Sequence, residues 1–193
     1  QFNQRVAREH AIVEHIFSNA IVNDPRVLSY FDYCIKPADS FNGDLFLCEK
    51  SPSGGIYFVV GDFTGHGLAS AVGALPVTRA FQEMSQKGET VAEIARELNT
   101  ILLKFLPHDM FMAAVIGEID STGSHITLWQ GGMPAVMLTG KAASELRQLS
   151  SRHMALGILD DDEFDLACDT LHLSDDEQLI IVSDGLIEVT DSK

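Results

Sequence analysis

The chain has 193 residues, of which 46% are hydrophobic and 21% charged, so it can form one domain with a sizeable core. Its 28 acidic residues outnumber its 13 basic residues and give a formal net charge of −15. This charge argues against binding to nucleic acid through its phosphates and against docking on an anionic membrane. A surplus of carboxylates suits a protein that binds cations, although a soluble acidic surface is the simpler explanation.

The three cysteines, Cys34, Cys48 and Cys168, are far apart and lack the spacing of a metal site. We expect buried, reduced thiols, as in a cytosolic protein. The sequence has no apolar run near the roughly 20 residues that span a bilayer, and no signal peptide opens it. These features predict a soluble, cytoplasmic protein.

The chain begins with a predicted helix over residues 1–25. Val6, Val13 and Ala20 fall on one heptad-like stripe, and no capping residue starts the helix. We expect a linker from an upstream domain, followed by one domain over residues 26–193. The helix is either a dimerising or signal-transmitting stalk or an ordinary helix packed on its own domain.

Strand-like runs dominate the rest of the chain. They are VLSYFDYCI (27–35), DLFLCE (44–49), IYFVVGD (56–62), MFMAAVIGEI (110–119), HITLWQ (125–130), AVMLT (135–139), FDLACDTLHL (164–173) and QLIIVSD (178–184). The turn sequences SPSGG and DSTGS separate the second run from the third and the fourth from the fifth. Such short connections predict antiparallel hairpins.

Two helices are predicted between the third and fourth runs. The first covers about 68–87, and Pro76 is expected to kink or divide it. The second covers about 91–106 and starts with a capping box of Thr90 and Glu93. Together with the strands, these helices predict antiparallel sheets covered by helices. The expected core-facing stripe of the second helix is Val91, Ile94, Leu98, Ile101 and Phe105.

Most other polar or aromatic features are expected to have no functional role. His125, His153 and His172 have no ligand spacing and are expected to lie mostly on the surface. The acidic run at 160–164 is expected to be a solvated loop, and Trp129 a core residue.

Three aspartates occupy similar positions in the sequence. Asp44, Asp62 and Asp184 each lie beside a glycine, where an apolar strand begins or ends. A carboxylate at the mouth of a core is costly unless a positive charge satisfies it, and no arginine or lysine is adjacent in sequence. Hard divalent cations such as Mg²⁺ or Mn²⁺ are natural partners for such carboxylates. The alternative is that each aspartate only caps a turn.

The motifs of the chain carry a family resemblance. FNGDLF, GDFTGHGLASAV, MFMAAVIGEID, LWQGGMPAVML and LIIVSDGLIEVTD occur in the order found in bacterial PPM-type serine/threonine phosphatases of the SpoIIE/RsbU kind. That family is similar to the eukaryotic protein phosphatases of the 2C class. The resemblance extends from about residue 28 to the end. The first helix resembles the linker that joins such a domain to an upstream receiver or sensor domain.

The resemblance implies an α+β fold, an αββα sandwich of two antiparallel sheets with helices outside. It also implies two Mn²⁺ or Mg²⁺ ions at one edge of the sandwich. By this analogy Asp62 bridges both ions, and the carbonyl of Phe63 contacts one. Asp184 binds the other ion, and Asp44 contributes directly or through coordinated water.

The implied chemistry is attack of a metal-activated water on a phosphoserine or phosphothreonine. His66 either donates a proton to the leaving alkoxide or, as we favour, holds the glycine loop. Thr64 either caps the following helix or orients a metal-bound water. Gly65 and Gly67 are expected to allow a tight turn and to make room for phosphate.

Two departures from the family pattern stand out. Relatives often read Asn-Ala-Gly-His-x-Pro where this chain reads QGGMPA, with Met133 in place of the histidine. Relatives also continue beyond the equivalent of Lys193 to another metal-binding aspartate. We therefore expect the domain to lack its C-terminal end.

The resulting functional prediction is a metal-dependent protein serine/threonine phosphatase of a bacterial partner-switching or two-component pathway. Its expected substrate is a phosphorylated anti-sigma-factor antagonist or a similar regulator, and the first helix could support a homodimer. The alternative is a catalytically silent module of the same fold that binds a partner. A distantly related metal-dependent phosphodiesterase is a third reading. The three aspartates favour an enzyme, because a scaffold has no need of costly carboxylates.

Overall fold

The computed structural model describes residues 21, 23–35, 43–64, 68–140 and 146–184. The predicted linker helix over 1–25 therefore lies almost entirely outside the described residues. Within them, no helix combines the length and the apolar character needed to cross a membrane.

The described part of the chain contains three helices and eight strands. The helices are α1 (Pro25–Leu28), α2 (Leu68–Lys87) and α3 (Val91–Phe105). The strands are β1 (Asp44–Lys50), β2 (Ile56–Phe63), β3 (Met112–Ile119), β4 (His125–Gly131), β5 (Val136–Gly140), β6 (Arg147–Leu149), β7 (Asp169–His172) and β8 (Glu177–Ile180).

The strands form two antiparallel sheets. One has five strands in the order β1-β2-β3-β4-β7, and the other has three in the order β6-β5-β8. The β1–β2 and β3–β4 pairs are the hairpins that the short turn sequences predict. This α+β architecture with two antiparallel sheets confirms the predicted fold class.

Two apolar clusters hold the layers together. Helices α2 and α3 pack on one face of the five-stranded sheet, where Phe81, Ile94 and Leu98 belong to the same buried cluster as Trp129. The opposite face packs on the second sheet, and this inter-sheet cluster includes residues of β2, β3, β4 and β5. Alternation along β2, β3 and β4 therefore places successive side chains in the helix layer and the inter-sheet layer in turn.

Helix α3 begins as the sequence predicts, but its buried stripe differs. The hydroxyl of Thr90 accepts a hydrogen bond from the backbone N–H of Glu93, and the Glu93 carboxylate accepts from the backbone N–H of Thr90 at 2.9 Å. Phe105, expected in the core, is 60% exposed, and Ile101 is only partly buried. The buried stripe is Val91, Ile94, Ala95, Leu98, Asn99 and Leu102.

Pro76 was expected to kink or divide helix α2, and the helix continues through it undivided. A proline removes the N–H that would pair with the carbonyl four residues earlier, here that of Val72. Val72 is 50% exposed, so water can satisfy its carbonyl.

The predicted strand over 27–35 is wrong. Asp24 caps α1 by accepting from the backbone N–H of Arg26, and Pro25 occupies the first turn, where its fixed φ suits a helix. The run at 164–173 forms a strand only over β7, and the three-residue β6 was not predicted.

Several individual side chains also differ from expectation. Cys34 is exposed rather than buried, while burial raises the pKa of the Cys48 thiol to about 11. The His153 side chain is only 8% exposed. Its ring stacks on Trp129 with centroids 5.2 Å apart and an interplanar angle of 6°. Trp129 lies in the core, as predicted.

Candidate functional site

The pairing of β1 with β2 brings two of the three predicted aspartates together. Asp44 lies directly opposite Asp62 in the antiparallel register. Both share the face of Phe46 and Val60, which belong to the inter-sheet layer. Directly opposed residues have Cβ atoms roughly 4.5–5.5 Å apart, and like charges in such a pair repel.

The third aspartate reaches this position from the second sheet. Strand β8 ends at Ile180, and Asp184 follows four residues later. The side chain of Asp184 forms a hydrogen bond with that of Asp62. Asp62 is thus the residue at which carboxylates from both sheets converge. No group of three or more histidine, cysteine, aspartate or glutamate side chains in the described part of the chain has the geometry of a metal site.

The convergence of carboxylates changes the acidity of Asp62. Burial raises its pKa to about 7, and the hydrogen bond to Asp184 and the negative charges of Asp44 and Asp184 act in the same direction. Among the ion pairs between described residues, none involves Asp62. Carboxylate oxygens are the ligands that hard divalent ions prefer, so the chemistry of these donors suits such an ion.

The backbone that follows Asp62 is fixed by local hydrogen bonds. The N–H of Phe63 donates to the carbonyl of Gly43 at 3.0 Å, and the Phe63 side chain is buried. The Thr64 hydroxyl donates to the carbonyl of Phe111 at 3.3 Å and accepts from its N–H at 3.0 Å. Thr64 therefore ties the end of β2 to the segment before β3.

Close packing by helix α2 also fixes this end of β2. A Cβ atom on Gly73 would lie 2.8 Å from the Leu106 side chain and 2.9 Å from the Phe63 ring. Glycine therefore allows α2 to approach Phe63. The other predicted site residues, Gly65, His66 and Gly67, lie outside the described residues.

Two buried amides elsewhere in the fold were not predicted. Asn99 on α3 donates to the carbonyl of Leu159 at 2.8 Å and accepts from the N–H of Gly157 at 2.8 Å, so it holds the loop after β6. Gln130 on β4 is 3% exposed. In the sequence, Asn99 is a polar residue on the apolar face of the second predicted helix, which could have indicated a buried amide. Gln130 is the first residue of the QGGMPA segment, in which only Met133 was considered.

Comparison with known proteins places this arrangement in a family. The family described as Stage II sporulation protein E (SpoIIE) matches residues 52–193. "Phosphoserine phosphatase RsbP" of Bacillus subtilis (strain 168) is 23% identical over 201 residues, which cover 100% of this chain and 48% of RsbP. The chain thus spans about half the length of this curated relative.

Solved structures show the same fold. The SiaA-PP2C domain of Pseudomonas aeruginosa gives a TM-score of 0.75 at 16% identity, over 95% of this chain and 72% of that one. RsbX in complex with magnesium gives 0.60 at 18% identity, over 79% and 71% of the two chains. The resemblance in the motifs is confirmed, and the chain belongs to the SpoIIE family of PP2C-fold domains.

Proposed function

We propose that the protein is a Mn²⁺- or Mg²⁺-dependent phosphatase that removes phosphate from phosphoserine or phosphothreonine in a protein. The observation that carries this proposal is the position of Asp62, hydrogen-bonded to Asp184 from the other sheet and opposite Asp44. Such a costly arrangement of carboxylates has no evident structural purpose. Membership of the SpoIIE family and similarity to the phosphoserine phosphatase RsbP support the same activity.

The residues that would hold the cations are Asp44, Asp62 and Asp184, together with the carbonyl of Phe63. Two ions are proposed, and the magnesium in the similar RsbX structure supports the ion class. When bound, divalent cations neutralise phosphoryl oxygens and make water a nucleophile at neutral pH. Because the pKa of Asp62 is about 7, a cation that competes for its carboxylate can displace the proton at physiological pH.

The neighbouring residues position this site. Thr64 and Phe111 hold the end of β2 through two hydroxyl hydrogen bonds, so the Asp62 carboxylate keeps its place when substrate binds. We propose that Gly65 and Gly67 leave room for the phosphate. His66 would hold that loop or donate a proton to the leaving alkoxide.

The proposed substrate is a phosphorylated regulator of the anti-sigma-factor antagonist type in a partner-switching pathway. The similarity to the phosphoserine phosphatase RsbP supports a phosphorylated protein as the substrate. In the whole protein, a sensor or receiver domain would precede the linker helix over 1–25, and that helix would support a homodimer. We propose a cytoplasmic location.

Release of phosphate from a phosphoserine protein tests the activity. We expect release with Mn²⁺, no release with a chelator, and little release from a phosphotyrosine peptide of similar sequence. A protein that binds Mn²⁺ but releases no phosphate from any phosphoserine substrate would instead be the silent partner-binding module. The same assay on a chain extended beyond Lys193 tests whether a further aspartate completes the site.

A further inference from the structure

The Gln130 amide is an unusual feature of the inter-sheet layer. In the described part of the chain four buried side-chain polar atoms lack a hydrogen-bond partner, and two of them are the amide nitrogen and oxygen of Gln130. The backbone carbonyl of Gln130 accepts from the N–H of His153 at 3.3 Å, so only the side chain is unpaired. Native proteins rarely bury an amide with both ends unsatisfied.

The register of the sheet places this amide on the same face as the carboxylates. Gln130 lies opposite Val115 on β3, and Val115 lies opposite Val60 on β2. Asp62 lies two residues from Val60 and opposite Ala113. Strand alternation puts Gln130 and Asp62 in the inter-sheet layer, because Val60, Ala113 and Val115 belong to that cluster.

The distance between Gln130 and Asp62 determines how their side chains can interact. Two strand spacings and two residues along the strand separate their Cα atoms by about 12 Å. Both side chains project roughly perpendicular to the sheet and not toward each other, so their polar ends do not meet in a direct hydrogen bond. A water molecule can bridge the two polar ends.

We propose that Gln130 is a positioning residue of the cation site, whose amide binds a water in the hydration shell of the ions held by Asp62 and its partners. This inference rests on the proposed function. Mg²⁺ and Mn²⁺ sites keep several waters, and residues that hold such outer ligands determine affinity. The Gln130 amide then has a hydrogen-bond partner, the metal-bound water, only when the cation site is occupied, which accounts for an unpaired amide in an otherwise apolar layer.

The substitution Gln130→Met tests this inference, because methionine has a similar unbranched shape and no hydrogen-bonding amide. Mn²⁺ binding is measured by calorimetry, and Tm is measured in chelator. We expect Mn²⁺ affinity to fall about tenfold. We expect the Tm of the metal-free protein to rise by about 2–4 °C, because an unsatisfied amide is removed. These opposite changes distinguish positioning from a purely structural role.

Ser85→Ala is the matched control. The Ser85 hydroxyl is also buried and unpaired, but it lies near the end of α2. This variant should retain Mn²⁺ affinity. Unchanged Mn²⁺ affinity in Gln130→Met would overturn this inference but not the proposed function. A lower Tm of the metal-free variant would also overturn it, because it would mean that the Gln130 amide has a hydrogen-bond partner inside the protein. Wild-type protein that binds no Mn²⁺ overturns both the inference and the proposed function.

Discussion

The side chain of Asp62, near the end of β2, forms a hydrogen bond with that of Asp184, which follows β8. This contact joins the five-stranded sheet to the chain leaving the three-stranded sheet. Two carboxylates can share a hydrogen bond only when one of them carries a proton. Burial and the two neighbouring carboxylates raise the pKa of Asp62 to about 7, so below that pH a cation must displace a proton to bind.

The first prediction concerns the stability cost of Asp62. The pKa of Asp62 is 3.8 in an ordinary environment and about 7 in the fold. The folded state therefore binds the proton more tightly, so this group's contribution to stability is greatest below pH 4 and is lost as pH rises through 7. Asp62→Asn should raise the free energy of unfolding of metal-free protein at pH 8 by about 1–2 kcal/mol, since partial exposure weakens the full effect.

Urea unfolding in chelator at pH 5 and pH 8 measures this effect. The advantage of Asp62→Asn over wild type should grow between the two pH values. Asp160→Asn, the same change at an exposed loop residue, should alter stability little at either pH. A less stable Asp62→Asn variant at pH 8 would mean that the carboxylate is satisfied without a cation.

The second prediction concerns Thr64. Thr64→Val removes both hydroxyl hydrogen bonds to Phe111 and leaves the N–H of Phe111 unpaired. We expect a loss of about 1–3 kcal/mol in the free energy of unfolding, and slower phosphate release because the end of β2 is less fixed. Thr64→Ser keeps the hydroxyl and should retain most of both properties. Equal behaviour of the two variants would show that the hydroxyl is unimportant.

The third prediction contrasts two buried amides. Asn99→Leu removes an amide whose two ends are satisfied by Gly157 and Leu159. This substitution should lower the free energy of unfolding by about 2–4 kcal/mol, because two backbone groups lose their partner. Denaturant unfolding of Asn99→Leu and Gln130→Met in chelator should therefore give effects of opposite sign. Destabilisation of both variants would contradict the distinction.

The sequence predicts much of the sheet because its central strands are short apolar runs bounded by turn residues. Strands β1 to β5 follow the predicted runs, and β1, β2 and β3 are nearly continuous in apolar residues because both faces of the sheet are covered. The strand prediction after Pro25 is wrong because the aromatic residues there are typical of strands, while the Asp24 cap and the proline favour a helical turn. The short β6 has too few residues to show any period.

The site could be predicted only in part, for a physical reason. Each aspartate is visible at the end of a strand, but a local pattern does not say which strand ends meet across two sheets. The contact of Asp62 with Asp184 depends on sheet packing, and the sequence indicated it only through the family resemblance. Gln130 escaped notice because its unpaired amide becomes apparent only when its surroundings are known.

The decisive measurement is the rate of phosphate release by Asp62→Asn at saturating Mn²⁺. Loss of an outer-shell partner in a metal site costs roughly 10–100-fold, so loss of the proposed central ligand should lower the rate at least about 100-fold. Asp160→Asn should match wild type in the same assay. A folded Asp62→Asn variant that releases phosphate at the wild-type rate would contradict the assignment of Asp62 as the centre of the active site.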